Sequence, residues 1–389
     1  MLPVRLNVDD LMFVLFSRSL RTLFSPLLAS PLPPHAMISV RRFLAAFLLA
    51  SVTSLMAPGV GHAQTLPDAI TVKQRLTDED KSAIEAFVKS AKPGLLGDPD
   101  QIRLARAALL RPLGPNASLQ FRLEYAAALR PLLDEVAASS KHQPVINAMR
   151  IAGEAAATGT LPILLSKIDA EAQVPPAVRI AACVGLARLF EVTAKLDPAV
   201  NPADLKRAVT VVADTAAKTT DALVADAAIR ALDAALEIPT AKADVSFRGD
   251  VVGKLAAAAG KRAAGLGGAA GGADMPSVLR AARALRDVIT ADASTNKGQI
   301  NVATYRAAAE FAGDVAVAVV RLRASPVAGL DSATVEQAAG AAGTIVALSK
   351  SLLQPGGKVE TPKNISDLIG PTGTLTQPPF GFAADRFKP

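Results

Sequence analysis

Among the short motifs of this chain, the glycine-rich stretch is the most similar to a known ligand-binding motif. Residues 265–270 read Gly-Leu-Gly-Gly-Ala-Ala, which matches the G-x-G-x-x-G/A pattern of dinucleotide-binding loops. Such a loop binds a pyrophosphate only where a strand leads into it and a helix follows it. The preceding residues 253–264 are rich in alanine and favour a helix instead. We therefore interpret residues 265–273 as a flexible glycine-rich loop and predict no cofactor.

Metal and nucleophilic chemistry have equally few candidates. After residue 63, His142 is the only histidine and Cys183 the only cysteine. A transition-metal site needs more nitrogen and sulfur ligands than these two supply. No G-x-S-x-G elbow is present that could pair a serine with His142. We expect His142 at an exposed helix start and Cys183 as a small buried apolar group, and we predict no catalytic or metal-binding residue.

Charge gives no sign of a nucleic-acid partner. The formal net charge of +7 falls to +4 when the five arginines and two aspartates of residues 1–63 are left out. That balance is ordinary for a solvated surface. Five arginines recur at related positions and could line one surface or bridge neighbouring helices: Arg179, Arg230, Arg280, Arg283 and Arg286. Because no aromatic residues alternate with them, a nucleic-acid platform is disfavoured.

The elements that must position these residues are predicted to be helices throughout. Apolar side chains recur with helical spacing, and strand-like alternation is essentially missing. Thr77 with Asp80, and Asn201 with Pro202 and Asp204, are typical helix starts. We predict helices at residues 77–91, 99–112, 118–138, 142–157, 160–170, 176–194, 202–218, 220–237, 247–264, 276–291, 301–323 and 331–353.

Internal similarity suggests that these helices form repeats. The segments that begin at Val145, Val178, Val224 and Val278 share alanine and leucine positions at intervals of 33 to 53 residues. Residues 161–190 combine an L-P-x-L-L helix with a V-R-x-x-A-x-x-x-L helix and resemble a HEAT-type repeat, a member of the armadillo-like group. That resemblance implies an all-α fold, an α-solenoid of stacked antiparallel helix pairs, over residues 64–264 and 274–353.

The beginning of the chain predicts export. Arg41 and Arg42 precede an uncharged apolar run, which ends in small residues before Gln64. This layout is that of a secretory signal peptide, and the run is short for a membrane span. We therefore predict a signal peptide at residues 37–63, cleavage before Gln64, and a periplasmic or extracellular protein with no stable membrane span after cleavage. Residues 1–36 are then interpreted as an upstream extension before a start at Met37.

Residues 354–389 form a tail in which proline and glycine exclude a long helix. The sequence leaves open whether its apolar residues dock on the helices. From these features we expect a non-enzymatic, exported scaffold that binds another protein or a cell-envelope component. Two alternatives stay open: a ligand-binding protein or enzyme with a cleft between two helical blocks that the glycine-rich loop separates, and a passive structural envelope protein.

Overall fold

The computed structural model of the protein describes residues 65–169, 173–267, 272–295, 301–354 and 359–388. The first part of the described chain, up to the middle of the array, holds eight α-helices: α1 (Asp68–Thr71), α2 (Asp78–Ser90), α3 (Lys92–Leu95), α4 (Pro99–Leu110), α5 (Leu119–Ala137), α6 (His142–Ala155), α7 (Leu161–Asp169) and α8 (Pro176–Lys195). A 3-10 turn, Arg111–Leu113, follows α4.

The remaining helices are longer on average. They are α9 (Pro202–Lys218), α10 (Ala222–Leu236), α11 (Phe247–Gly265), α12 (Met275–Thr295), α13 (Val302–Ala324) and α14 (Ser332–Leu353). Short 3-10 turns occur at Thr240–Lys242, Ile365–Leu368 and Thr374–Thr376. The described residues contain no β-strand, and the predicted all-α class is confirmed.

Side-chain caps fix the helix starts that the sequence predicts. At α2, Thr77 accepts a hydrogen bond from the Asp80 backbone N–H, and the Asp80 carboxylate accepts one from the Thr77 backbone N–H. Asn201 caps α9 by accepting from the backbone N–H of Asp204, and Pro202 occupies the first helical position. These contacts satisfy donors that a helix N-terminus otherwise leaves unpaired.

The helices pack in two rows, because most helices contact the helix two places further along the chain. The first row contains α2, α5, α7, α9, α11 and α13, and the second row contains α4, α6, α8, α10, α12 and α14. Consecutive helices such as α7 and α8, α9 and α10, or α13 and α14 also pack against each other and join the rows. The apolar core lies between the rows.

Small residues let neighbouring helices approach closely. At the contact of α6 with α8, a Cβ atom on Gly153 would lie 2.2 Å from the Gly185 carbonyl oxygen, and one on Gly185 would lie 2.6 Å from the Met149 oxygen. Ala182 and Leu186 beside this contact are fully buried. The backbones therefore touch at a point where only glycine fits, and alanine and leucine fill the space around it.

The row arrangement continues across the glycine-rich loop. Helix α11 before it contacts both α12 and α13 after it. Arg262 near the end of α11 donates to the Asp274 carboxylate, which lies just before α12. The helices on the two sides of the loop therefore belong to one stack and not to separate blocks. Residues 268–271 of this loop, and the predicted upstream extension and signal peptide at residues 1–63, lie outside the described residues.

The tail docks on the end of the array, which answers the question that the sequence leaves open. We call residues 359–388 the C-terminal strap. Its 3-10 turns pack on α13 and α14. Six of its apolar side chains are at most 8% exposed, namely those of Ile365, Leu368, Ile369, Leu375, Phe380 and Phe387. Burying them stabilises the docked strap.

Candidate interaction surface

The outer side of the second row forms a continuous surface of exposed and half-buried side chains. The second-row helices α6, α8, α10 and α12 each pack against a neighbour on either side in their own row and against helices of the first row. Their remaining exposed stripes must therefore face away from the first row. We call the joined stripes of α6, α8, α10, α12 and α14 the second-row face.

On this face, an arginine of α8 links α8 to α6. Arg188 of α8 donates through Nε and Nη2 to the two carboxylate oxygens of Glu154 on α6, with an Nη2–Oε1 distance of 2.8 Å. Its Nη1 also donates to Glu191 at 3.0 Å. The hydrogen bonds to both carboxylates raise the pKa of the Arg188 guanidinium, so it stays charged. Bidentate arginine–carboxylate contacts of this kind fix the orientation of the guanidinium group as well as balancing its charge.

Similar links join the later helices of the second-row face. Arg280 of α12 donates to Asp226 of α10 at 3.2 Å. Arg230 lies 3.6 Å from the same carboxylate. Arg283 of α12 donates to the amide oxygen of Gln337 on α14. Because the Arg280 and Arg283 contacts each join two helices, these polar groups hold the helices in register while they remain open to solvent.

Apolar side chains interrupt this polar surface near its middle. Val184 on α8 is 40% exposed, and Leu223 at the start of α10 is 70% exposed. No arginine link between α8 and α10 occurs among the described side chains of this face. A surface that combines exposed apolar groups with ordered arginines is typical of protein-binding sites.

The predicted line of arginines is present in part. Arg230, Arg280 and Arg283 lie on the second-row face, and Arg286 contacts its neighbour Asp287. Arg179 differs because it is 4% exposed and donates to the Ile168 carbonyl and the Thr219 hydroxyl. It holds the N-terminal end of α8 against neighbouring segments and cannot reach a partner.

A separate groove lies where the C-terminal strap meets the first row. It is a groove of about 290 Å³ between α11 and α13, with Lys261, Glu310 and Arg386 at its edges and small alanines along its walls. Arg386 donates to both oxygens of Asp314, at 2.6 Å and 3.0 Å. Burial raises the pKa of the Asp314 carboxyl, and the Arg386 hydrogen bonds oppose that rise.

The sequence gives no signal for this Arg386–Asp314 contact, because 72 residues separate its partners. Within the groove, Arg386 and Asp314 neutralise each other. Arg386 therefore ties the strap to α13 through Asp314 and Glu310.

The residues singled out for chemistry lie apart from both regions or inside the core. His142 is exposed as the first residue of α6, as predicted. Cys183 is fully buried on α8, also as predicted, and burial raises the pKa of its thiol to about 12. A thiol with that pKa is a poor nucleophile at neutral pH.

The glycine-rich pattern does not have the surroundings of a dinucleotide site. Gly265 is the last residue of helix α11, so that a helix and not a strand leads into the loop. Leu266 is 1% exposed, and Gly267 has a φ of +92° that favours glycine. These two residues end the helix and turn the chain towards α12.

Two further searches cover only the residues that the structure describes. In those residues, no group of three or more histidine, cysteine, aspartate or glutamate side chains could hold a metal ion. None of the described helices is long and apolar enough to cross a membrane.

Comparisons with known proteins assign no family. No protein-family model matches the chain, and no curated protein sequence matches it.

Proposed function

We propose that this protein is an exported, non-enzymatic helical-repeat scaffold that binds another protein or a cell-envelope component through its second-row face. In this proposal, the paired helices form a HEAT-like α-solenoid, and residues 37–63 are the signal peptide that is removed before Gln64. The periplasm or the extracellular space is then the site of action.

Two features support the scaffold. Each helix pair buries its apolar side against its neighbours in the row, which is how repeat arrays gain stability. The resemblance of residues 161–190 to a HEAT repeat adds to this, since α7 and α8 lie in that segment. Proteins built in this way commonly use one extended surface to bind partners.

The observation that carries the proposal is the ordered second-row face. Arg188, Arg280 and Arg283 are held in place by contacts to a neighbouring helix and still present their edges to solvent. Because these arginines are already ordered beside the exposed Val184 and Leu223, less side-chain conformational entropy is lost when a partner binds.

The test is co-purification of the C-terminally tagged protein from its native cell envelope, followed by mass spectrometry. The wild type is compared with the Val184→Lys/Leu223→Lys variant. The matched control is Val245→Lys/Val302→Lys, which changes two valines that are 82% and 62% exposed outside the second-row face. We expect a stoichiometric partner with the wild type and the control, and its loss with the first variant. A partner that both variants retain would refute the proposed face.

A further inference from the structure

Three arginines at the N-terminal end of the second row differ from the paired arginines further along. Arg103 and Arg106 lie one turn apart on α4, and Arg150 lies on α6. Arg106 Nη1 donates to the Asn147 amide oxygen at 2.6 Å, and Asn147 lies one turn before Arg150. The contact of α4 with α6 therefore brings these three side chains to one place, which we call the arginine cluster.

Within the described residues, the arginine cluster has little negative charge to balance it. Its one carboxylate contact is Asp100 with Arg103, at 3.5 Å between two highly exposed side chains. Arg150 is exposed and has no hydrogen bond or ion pair in the described part of the chain. Burial lowers the pKa of Arg106, and the like charges of Arg150 and Arg103 lower it further. The three guanidinium groups thus repel one another.

The nearest carboxylate along α6 does not relieve this repulsion. Glu154 lies one turn beyond Arg150, but both of its oxygens accept hydrogen bonds from Arg188. The amide of Asn147 is also engaged, because its Nδ2 donates to the Gln143 carbonyl at 2.8 Å. An anion from outside would therefore meet Arg106, which Asn147 already orients, and Arg150, which has no acceptor among the described side chains.

We propose that the arginine cluster is the docking point for an acidic, helical segment of the partner protein. This inference rests on the proposed scaffold function and adds the chemistry of the partner. Arginine binds carboxylates through two parallel hydrogen bonds, so glutamates one helical turn apart match guanidinium groups one turn apart.

Two observations favour a protein segment over a phosphate polymer. Leu104 on α4, beside Arg103, is 59% exposed and offers an apolar contact next to the charges. Beyond the cluster, Arg188 is paired with Glu154 and Glu191, and Arg280 is paired with Asp226, so these arginines would add little to the binding of an extended phosphate chain. A short acidic segment with an apolar residue needs only the cluster and Leu104.

The direct test is fluorescence anisotropy with a labelled helical peptide that carries glutamates four residues apart and leucines between them. A second peptide has glutamine at each glutamate position. The cluster variant is Arg103→Gln/Arg106→Gln/Arg150→Gln. The matched control variant is Arg230→Gln/Arg283→Gln/Arg286→Gln, which removes the same charge from helices α10 and α12 of the second row.

We expect the wild type and the control variant to bind the glutamate peptide with affinities within about twofold of each other. The glutamine peptide, and the glutamate peptide with the cluster variant, should bind at least about tenfold more weakly. No binding by the wild type, or equal losses in the two variants, would overturn the inference. Tighter binding of inorganic polyphosphate or phosphatidylglycerol vesicles than of the glutamate peptide would do so as well.

The co-purification experiment separates failure of this inference from failure of the proposed function. If the cluster variant still captures the partner that Val184→Lys/Leu223→Lys loses, the scaffold role stands and the arginine cluster is not the docking point. If no variant of the second-row face affects capture, the proposed binding through that face fails, while the peptide measurement still reports on the cluster alone.

Discussion

The two ends of the helical array use arginine in opposite ways. At the C-terminal end, Arg386 of the strap reaches back to Asp314, and Arg306 of α13 donates to the Pro379 and Phe380 carbonyls. At the N-terminal end, Arg150 extends into solvent. Arginine therefore holds the strap on the C-terminal end of the stack, whereas at the N-terminal end Arg150 has no oxygen acceptor among the described residues.

The largest effect is expected from removing the strap. A chain that ends after Gln354 exposes the sides of α13 and α14 that Leu368, Phe380 and Phe387 cover. Since each such side chain contributes about 1.5–3 kcal/mol when buried, the free energy of unfolding should fall by more than about 5 kcal/mol. Circular dichroism melting and light scattering should show a lower Tm and self-association. A monomer with an unchanged Tm would show that the strap does not close the array.

A smaller change at one glycine should loosen the strap without removing it. A Cβ atom on Gly313 would lie 2.4 Å from Cε1 of Phe387 and 2.8 Å from Cδ1 of Leu375. We expect Gly313→Ala to lower the free energy of unfolding by about 1–3 kcal/mol, because the ring must move out of its site.

The matched control for this glycine is Gly340→Ala on α14, where nothing lies within 4 Å of the added atom. That variant should gain about 0.5–1 kcal/mol from helix propensity. Equal shifts of the two variants in chemical denaturation would contradict the packing of Phe387 on α13.

The effect of Arg386→Ala should depend on pH. Burial raises the folded-state pKa of Asp314, so folding stability from this carboxyl falls as pH rises from its unfolded value of 3.8 to its folded value. Removing Arg386 takes away the hydrogen bonds that oppose this rise. The loss in stability should therefore be small near pH 3.5 and grow to about 2 kcal/mol at neutral pH. Urea denaturation across this range measures it, and a loss that is independent of pH would exclude the pair as its cause.

The smallest effect is expected at the opposite end. Because the arginine cluster contacts few partners within the chain, Arg103→Gln/Arg106→Gln/Arg150→Gln should change the free energy of unfolding by less than about 0.5 kcal/mol. Relief of the mutual repulsion offsets part of the lost Arg106–Asn147 contact. A loss as large as that of Arg386→Ala in the same urea experiment would show that both ends use arginine to stabilise the fold.

Local sequence predicts the helices well, for identifiable reasons. The cap at Thr77 and Asp80 involves residues three apart, and the start of α9 depends on Asn201, Pro202 and Asp204. The end of α9 at Lys218 agrees with the predicted boundary, whereas α12 runs to Thr295, four residues beyond it. Capping and apolar spacing are local, so they can be read without knowing which helices meet.

Long-range contacts could not be predicted in this way. The ring of Phe387 packs where a side chain at position 313 would lie, so this position must be glycine. No sequence pattern connects residues that lie 74 positions apart. Likewise, Arg106 and Asn147 meet because α4 packs against α6, which spacing along either helix does not reveal. Recurrent alanines and valines indicated repeats, but the residues that distinguish one surface from another are set by the packing of the rows.

Cys183 can serve as a natural chemical probe of how often the helices separate. As the only cysteine of the chain, fully buried on α8, it can react with an alkylating reagent only after the surrounding helices separate. Its labelling rate under native conditions therefore measures how often the centre of the stack opens, with no engineered probe. In the exported protein that we propose, the same burial would protect Cys183 from forming unwanted disulfides with other thiols in an oxidising compartment.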